Sequence, residues 1–252
     1  MRILLANDDG IDSPLLANLE AAAALISDDV WTVAPSRKWS GSSHSVSLHK
    51  RFSVTKLGER RYRCSGTPVD GVVAAMGWLF GDGSRPDLVL SGINDGQNVA
   101  EDFAYSGTLS IAREGTFWGI PSIALSRVKG GGPLDRPQTE WLARVLARLW
   151  QRRDDWRLDG HWLSLNLPKS LPAPIRLARI GRDKIARACI VDGTEGDATH
   201  LVIADGRARV AADDDETALL QAGQCSLVRL NWSDVRPLPA DLPVALDAAA
   251  RG

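Results

Sequence analysis

The stretch Arg2-Ile3-Leu4-Leu5-Ala6, followed at once by Asn7-Asp8-Asp9-Gly10, decides the fold class of this chain. The apolar run predicts a buried parallel strand. Ser13 and Pro14 predict the start of a helix, with an N-cap serine and a proline at the first helical position. Asp8 and Asp9 would therefore lie in a strand-to-helix turn, where open α/β sheets bind ligands.

The adjacent carboxylates of Asp8 and Asp9 repel each other unless a cation lies between them. A divalent metal ion turns that repulsion into coordination. The alternative is a solvated acidic turn that caps the next helix. Other oxygen-rich turns recur further along the chain, and they favour the metal site.

Strand and helix patterns alternate over the first part of the chain. Such alternation is typical of an α/β fold with a mostly parallel sheet. Beyond Pro168, short alternating segments predict antiparallel strands in a C-terminal extension. We therefore expect an α/β core at residues 1–167 that carries the site, and an extension at 168–252. The predicted core strands are 2–6, 30–34, 86–90, 121–125 and 162–166, and the predicted helices of the core are 13–27, 69–79, 107–118 and 138–153. In the extension we predict a short helix at 213–222 and a final strand at 225–230.

The composition is that of an ordinary globular protein. The chain has 252 residues, of which 44% are hydrophobic and 24% charged, and its formal net charge is −1. This balance gives no electrostatic reason to bind long nucleic acid, although a metal would let the site accept a small anion. Three widely spaced cysteines argue against a disulfide framework. We find no signal peptide and no apolar stretch that could span a bilayer, and we predict a cytoplasmic protein.

Two further turns offer oxygen ligands after predicted strands. Ser40 lies in the hydroxyl-rich loop 36–45, and Asn94 follows the strand 86–90. The loop composition is equally typical of a flexible linker, and asparagine is also common in tight turns. No cysteine or histidine cluster has zinc-like spacing. A set made only of oxygen atoms favours Mg²⁺, Mn²⁺ or Ca²⁺.

The Ser106-Gly107-Thr108 sequence opens a predicted helix. The free N–H groups and hydroxyls of such a start can hold a phosphate. Simple N-capping by Ser106 is the alternative. The sequence contains no P-loop motif.

These motifs together resemble the SurE survival proteins, a family of metal-dependent 5′/3′-nucleotidases. The matching stretches occur in the family's order, and the strong resemblance covers roughly residues 1–126. They are Asn7-Asp8-Asp9-Gly10, Val33-Ala34-Pro35 with Ser40-Gly41, Gly66-Thr67-Pro68-Val69-Asp70, Ser91-Gly92-Ile93-Asn94, and Tyr105-Ser106-Gly107-Thr108 with Glu114-Gly115.

The resemblance implies a Rossmann-like core and a role for each matching residue. It implies one divalent metal ion, Mg²⁺ or Mn²⁺, and a homodimer or homotetramer formed through the C-terminal extension. It also implies phosphate release from nucleoside monophosphates, and in some members from short polyphosphate. The implied metal ligands are Asp8, Asp9, Ser40 and Asn94; the implied phosphate contacts are Asn98, Ser106, Gly107 and Thr108. We further expect Asp8 or Asp9 to orient or deprotonate the attacking water.

The sequence departs from the family pattern without removing an implied ligand. His44 stands where asparagine is usual. We expect a structural hydrogen-bonding role for His44, with assistance to a leaving group as the alternative. Trp39 could stack on a base or pack at an interface.

Two other classes of function compete with the hydrolase. An acidic pair after the first strand also marks receiver-type signalling domains, which accept a phosphoryl group on a third aspartate. Such a domain is about half this length, and it leaves the Ser-Gly-Thr helix start unexplained. A non-catalytic nucleotide-binding module is the third possibility.

Overall fold

The computed structural model describes residues 1–207 and 211–232. Nine strands form the main sheet: β1 (Arg2–Ala6), β2 (Asp29–Pro35), β3 (Val54–Lys56), β4 (Arg61–Cys64), β5 (Leu88–Asp95), β6 (Ser122–Arg127), β7 (His161–Leu167), β8 (Ile175–Leu177) and β11 (Cys225–Asn231). Their order across the sheet is β3-β4-β2-β1-β5-β6-β7-β11-β8. The strands β9 (Ala186–Glu195) and β10 (Ala198–Asp205) form a separate antiparallel pair. The predicted α/β class, with a mostly parallel sheet and an antiparallel extension, is confirmed.

Six α-helices are present in the described part of the chain. They are α1 (Pro14–Ala24), α2 (Pro68–Ala74), α3 (Asp102–Tyr105), α4 (Gly107–Phe117), α5 (Arg136–Gln151) and α6 (Glu216–Gln221). The helix predicted at 69–79 is divided, since a π-helical turn at Ala75–Leu79 follows α2. The short helix α3 was not predicted. None of these helices is long and apolar enough to cross a lipid bilayer.

Both faces of β1 are buried, as its continuous apolar run predicts. Ile3 and Leu5 pack with the side chains of α1 and α5, whereas Leu4 packs on the opposite face with those of α2 and α4. Full burial of each leucine contributes about 1.5–3 kcal/mol. This packing holds β1 at the centre of the sheet, and it therefore fixes the position of the turn that follows.

The strand order reverses at β1. β1 pairs in parallel with β2 on one side and with β5 on the other. The connections that leave β1 and β5 consequently diverge, which opens a crevice at the carboxyl ends of these two strands. Asp8 and Asp9 follow β1, and Asn94 lies at the end of β5.

The sheet does not end at the strand predicted at 162–166. β11 pairs antiparallel with β7, and β8 pairs in parallel with β11. The reason is that β7 would otherwise leave its outer row of backbone groups unpaired. Cys225, Val228 and Leu230 of β11 are buried and add apolar packing. The division of the chain at residue 167 into two domains stays a prediction, and the tail beyond Pro237 lies outside the described residues.

Candidate active site at the carboxyl ends of β1 and β5

A side-chain turn shapes the backbone that follows β1. Asn7 donates from Nδ2 to the Gly10 carbonyl at 2.9 Å, and its Oδ1 accepts the Gly10 N–H at 3.2 Å. Gly10 has φ +104°, a value that residues with a Cβ rarely adopt. The turn is thus closed on itself, and it presents Asp8 and Asp9 side by side.

Asp8 lies against the start of α4. Its Oδ1 accepts a hydrogen bond of 2.5 Å from the Thr108 hydroxyl. A Cβ at Gly107 would lie 2.8 Å from both Cβ and Oδ2 of Asp8, so only glycine fits there. Burial raises the pKa of Asp8 to about 6, and the neighbouring Asp9 charge acts in the same direction.

Asp9 is held by two other groups. Its Oδ2 accepts the N–H of Asp95 at 2.9 Å. Its Oδ1 is buried and lies 2.5 Å from Nζ of Lys38, as an ion pair without hydrogen-bond geometry. Lys38 was not singled out from the sequence, because a lysine in a polar loop is usually a solvated charge.

The loop 36–45 is tied to the site at both ends and does not behave as a free linker. The Trp39 N–H donates to the Asp8 carbonyl at 2.8 Å, and the Ser43 N–H donates to the Tyr105 carbonyl at 3.0 Å. The Ser43 hydroxyl also donates to the Ala104 carbonyl. Ser40 lies between these two attachments, and it lines the same cleft as Asp8.

Asn94 and Asn98 reach the cleft from the end of β5 and the loop after it. A register shift between β5 and β6 separates Ser91 from Asn94, and such irregularities re-aim side chains beside active sites. Asn94 donates from Nδ2 to the Gly96 carbonyl at 2.7 Å, which leaves its amide oxygen as the available ligand atom. Asn98 donates from Nδ2 to Ser126 Oγ at 2.8 Å.

The residues that begin α4 have separate functions. Ser106 Oγ accepts the Leu109 N–H at 3.1 Å, so the N-capping alternative for Ser106 holds. The Thr108 hydroxyl donates to Asp8 and is fully buried. The N–H groups of Gly107 and Thr108 belong to the first turn and have no partner within the helix, so they can receive an anion.

One cleft of about 410 Å³ gathers most of the predicted residues. Asp8, Ser40, Asn94, Asn98 and Ser106 all line it, whereas Asp9, Gly107 and Thr108 do not. Gly107 and Thr108 pack against Asp8, and Asp9 accepts a hydrogen bond from the backbone of Asp95. Their assignment as metal ligands or phosphate contacts stays a prediction. Their convergence, however, is a property of the fold.

Three basic side chains also line this cleft: Lys38, Lys129 and Arg207. The Arg207 side chain is largely buried. It is ion-paired with Asp102, and its Nη1 lies 3.5 Å from Asp183 Oδ2. These residues come from three distant segments with no shared motif, so no sequence signal identified them. The carboxylates of Asp8, Asp95 and Asp102 line the same cleft, so its lining carries charges of both signs.

The chain is similar to proteins of one known family. The family model described as "Survival protein SurE" matches residues 3–187. The chain belongs to the SurE family. The resemblance drawn from the motifs is therefore confirmed.

Several SurE relatives are similar over much of the chain. A protein of Methylobacterium radiotolerans named 5′-nucleotidase SurE is 54% identical over 182 residues, which cover 70% of this chain and 69% of the relative. A protein of the same name from Paramagnetospirillum magneticum is 40% identical over 195 residues, or 73% of this chain and 72% of the relative. The chain spans about half (54%) of the Methylorubrum extorquens relative, at 50% identity. The crystal structure of the SurE protein from Aquifex aeolicus matches with a TM-score of 0.73 at 27% identity, over 100% of both chains.

The oxygen atoms at the SurE site fit a hard divalent cation. Among the described residues, no three His, Cys, Asp or Glu side chains form a metal-binding group. The predicted set therefore depends on two carboxylates and on the neutral oxygens of Ser40 and Asn94, which suit Mg²⁺ or Mn²⁺ better than zinc. The buried Oδ1 of Asp9, which meets only the Lys38 ammonium, fits such a ligand atom.

His44 is engaged on both ring nitrogens. Nε2 lies 2.8 Å from Oε2 of Glu114, and Nδ1 accepts the Nε–H of Arg113 at 3.1 Å. These contacts favour the structural role expected for His44. Trp39 does not line the cleft, and the Arg37 guanidinium covers its ring at 4.3 Å.

Proposed function

We propose that this chain is a phosphoric monoester hydrolase that releases phosphate from nucleoside monophosphates. The observation that carries the proposal is the contact between Asp8 and the start of α4. It joins an acidic turn, which we assign to the metal, to the start of a helix, which we assign to the phosphate, and Asp8 and Ser106 of these two segments line one cleft. The relatives named 5′-nucleotidase SurE support the hydrolysis of the 5′ phosphate. Hydrolysis of 3′ phosphates and of short polyphosphate stays part of the proposal.

The protein groups act on the substrate in distinct ways. The N–H groups of Gly107 and Thr108 receive phosphate oxygens at the positive end of α4. Lys129 would place positive charge beside the phosphate and stabilise the charge that develops on it, whereas Lys38 and Arg207 line the same cleft but are ion-paired with Asp9 and Asp102. Asp8 or Asp9 orients the attacking water or takes its proton.

Asp8, Asp9, Ser40 and Asn94 would hold one Mg²⁺ or Mn²⁺ ion. Such an ion, when bound, supplies Lewis-acid activation of the phosphate ester and of a water molecule. The Thr108 hydroxyl donates to the Asp8 carboxylate, and the Asp95 N–H donates to the Asp9 carboxylate. Both carboxylates are therefore oriented before a ligand binds.

The decisive experiment is a phosphate-release assay over a panel of substrates. The panel holds 5′ and 3′ nucleoside monophosphates and short polyphosphate, assayed with EDTA and after each divalent metal is added back. Activity should require metal, and Asp8→Asn should abolish it while the circular dichroism spectrum is kept. Near-normal turnover by a folded, metal-loaded Asp8→Asn protein would refute the role of Asp8.

The same assay separates the competing functions. A receiver-type domain would retain a stable phosphoryl label after incubation with acetyl phosphate. A nucleotide-binding module would bind nucleoside monophosphate and release nothing. The family match over residues 3–187 supports neither of these alternatives.

We also propose that the chain self-associates through the hairpin formed by β9 and β10. Apolar side chains are exposed on both of its faces: Ile190, Val191, Leu201, Val202 and Ile203 are 49–65% exposed. A second copy of this chain would cover such a patch. Light scattering should give a dimer or tetramer for the unmodified chain and a monomer for Leu201→Lys/Ile203→Lys. Leu177→Lys, at an exposed leucine of β8, is the control.

A further inference from the structure

We propose that the nucleoside part of the substrate binds in a second cavity beside the phosphate cleft. This proposal depends on the proposed nucleotidase function and adds the place where the base and sugar are recognised. The second cavity has a volume of about 400 Å³, within the range of small-molecule sites. A phosphate monoester has two parts, and the structure offers one cavity for each.

The two cavities share a wall. Gln97 and Lys129 line both the phosphate cleft and the second cavity. The Gln97 Oε1 accepts the backbone N–H of Lys129 at 3.5 Å, a weak bond that ties the loop after β5 to the loop after β6. The two cavities therefore lie side by side, next to the loops that follow β5 and β6.

The lining of the second cavity combines apolar and amide side chains, which suit a nucleoside, with the charged side chains of Lys129, Lys169 and Asp183. Val99, Val128 and Leu220 give it an apolar side, which the face of a base can contact. The amides of Gln97 and Gln221 offer both donors and acceptors for the polar edge of a base or for sugar hydroxyls. Lys129 stands on the side of the phosphate cleft, where it can meet the negative charge.

The C-terminal part of the chain contributes the outer side of this cavity. Leu220 and Gln221 belong to α6, which is attached to the phosphate side of the molecule through Glu216. The Glu216 carboxylate accepts the N–H of Ala100 at 2.9 Å, two residues beyond Asn98. The cavity is thus closed by a segment that lies beyond residue 187, where the family match ends.

The base could instead bind to an aromatic residue that lines the phosphate cleft. Tyr105 lines the phosphate cleft and is 37% exposed, so a base could stack on its ring. Trp39 does not compete, because its ring is covered by Arg37 and lies outside the cleft lining.

The test compares a substrate with a nucleoside and one without. AMP and p-nitrophenyl phosphate are assayed with the metal-loaded full chain and its Leu220→Trp variant, whose indole would fill the cavity. We expect kcat/KM for AMP to fall by about tenfold or more, mainly through KM, and kcat/KM for p-nitrophenyl phosphate to change by less than about twofold. Adenosine should inhibit the unmodified chain, and Leu220→Trp should weaken that inhibition.

Matched variants keep the result interpretable. Leu177→Trp places the same substitution on an 82% exposed leucine of β8, outside both cavities, and should leave both substrates unchanged. Gln221→Trp, at an exposed position of the cavity rim, repeats the test if Leu220→Trp fails to fold. Equal losses for both substrates in a folded variant, or no loss for either, would overturn the subsite. So would a selective loss of AMP hydrolysis in Tyr105→Ala alone. If the unmodified chain hydrolyses neither substrate, the proposed function itself fails.

Discussion

The Thr108 hydroxyl donates a 2.5 Å hydrogen bond to Oδ1 of Asp8, across 100 residues of sequence. Both side chains are buried, so water does not compete for this contact. The bond joins the turn after β1 to the first turn of α4. It therefore sets the relative position of the acidic pair and of the start of α4.

Removal of that hydroxyl should impair the site more than the fold. Thr108→Val keeps the shape of the side chain but leaves the Asp8 carboxylate without its donor, and hydrogen bonds to charged groups contribute about 1.5–3 kcal/mol. We expect a loss in kcat/KM of about tenfold to a hundredfold, since each 1.4 kcal/mol is a factor of about ten. Thr108→Ser should restore most of the activity. Equal activity in Thr108→Val and the unmodified chain would show that the bond does not position Asp8.

The contact between Gly107 and Asp8 should tolerate no methyl group. In Gly107→Ala the new Cβ would lie 2.8 Å from Cβ and Oδ2 of Asp8, so α4 or the turn must shift. Overpacking of this kind costs about 1–3 kcal/mol, and we expect the midpoint of urea unfolding and the phosphatase activity to fall together. Gly77→Ala is the control, because a Cβ there meets nothing within 4 Å. A Gly107→Ala protein with unchanged activity would contradict the close packing.

Lys38 should weaken metal binding. Its ammonium lies 2.5 Å from Oδ1 of Asp9, an atom that we assign to the metal, so the two cations compete for one oxygen. We expect Lys38→Met to lower the Kd for Mn²⁺ several-fold in isothermal titration, whereas Lys50→Met, at an exposed lysine outside the cleft, should leave it unchanged. Weaker Mn²⁺ binding by Lys38→Met would show instead that the lysine supports the site.

Glu216 should make the stability of the folded chain depend on pH. Burial, and to a lesser degree the charge of Asp102, raises the pKa of Glu216 from its ordinary value of 4.5 to about 7. Between these values the folded chain keeps a proton that the unfolded chain has released. The free energy of unfolding therefore falls as the pH rises through this window. Above pH 7 the penalty is complete, and it is on the order of 3 kcal/mol.

Substitution of Glu216 by glutamine tests whether ionisation of this carboxyl lowers the free energy of unfolding as the pH rises. The new amide side chain would keep a carbonyl oxygen for the N–H of Ala100 and would remove the ionisation. We expect Glu216→Gln to be more stable than the unmodified chain at pH 8, by about 1–3 kcal/mol, and nearly equal to it near pH 4.5. Urea unfolding at both pH values measures the difference. Glu59→Gln, at an exposed glutamate, should change neither value, and a Glu216→Gln protein that is less stable at pH 8 would contradict the expected sign.

Most of the sheet could be predicted from local patterns. The run at 2–6 matches β1, and the runs at 30–34, 86–90, 121–125 and 162–166 each overlap a strand of the sheet, because buried parallel strands are rich in apolar residues. The helix starts at Pro14, Pro68 and Gly107 also agree, since proline and N-cap residues act within one turn. The position of β8 and β11 at the edge of the same sheet was missed. Strand pairing between segments far apart in the chain leaves no local periodicity.

The kind of chemistry at the site could be predicted from the sequence, but some of the residues that line the cleft could not. Asp8, Ser40, Asn94, Asn98 and Ser106 line one cleft, as their positions after parallel strands and at a helix start suggest. Lys38, Lys129 and Arg207 were missed, because a lone basic residue in a loop carries no pattern. The hydroxyl of Thr108 was expected to face phosphate, whereas the structure directs it to Asp8.

The order of apolar runs, turn residues and helix starts determined the α/β class, the family and the edge of the sheet where the candidate site lies, since each depends on interactions within a few neighbouring residues. Only the tertiary structure decided which side chains meet there. The bond from Thr108 to Asp8, the pairing of Lys38 with Asp9 and the cavity beside Gln97 all depend on strand order and packing distances. Those quantities arise when segments far apart in the chain are buried together, and no single segment contains them.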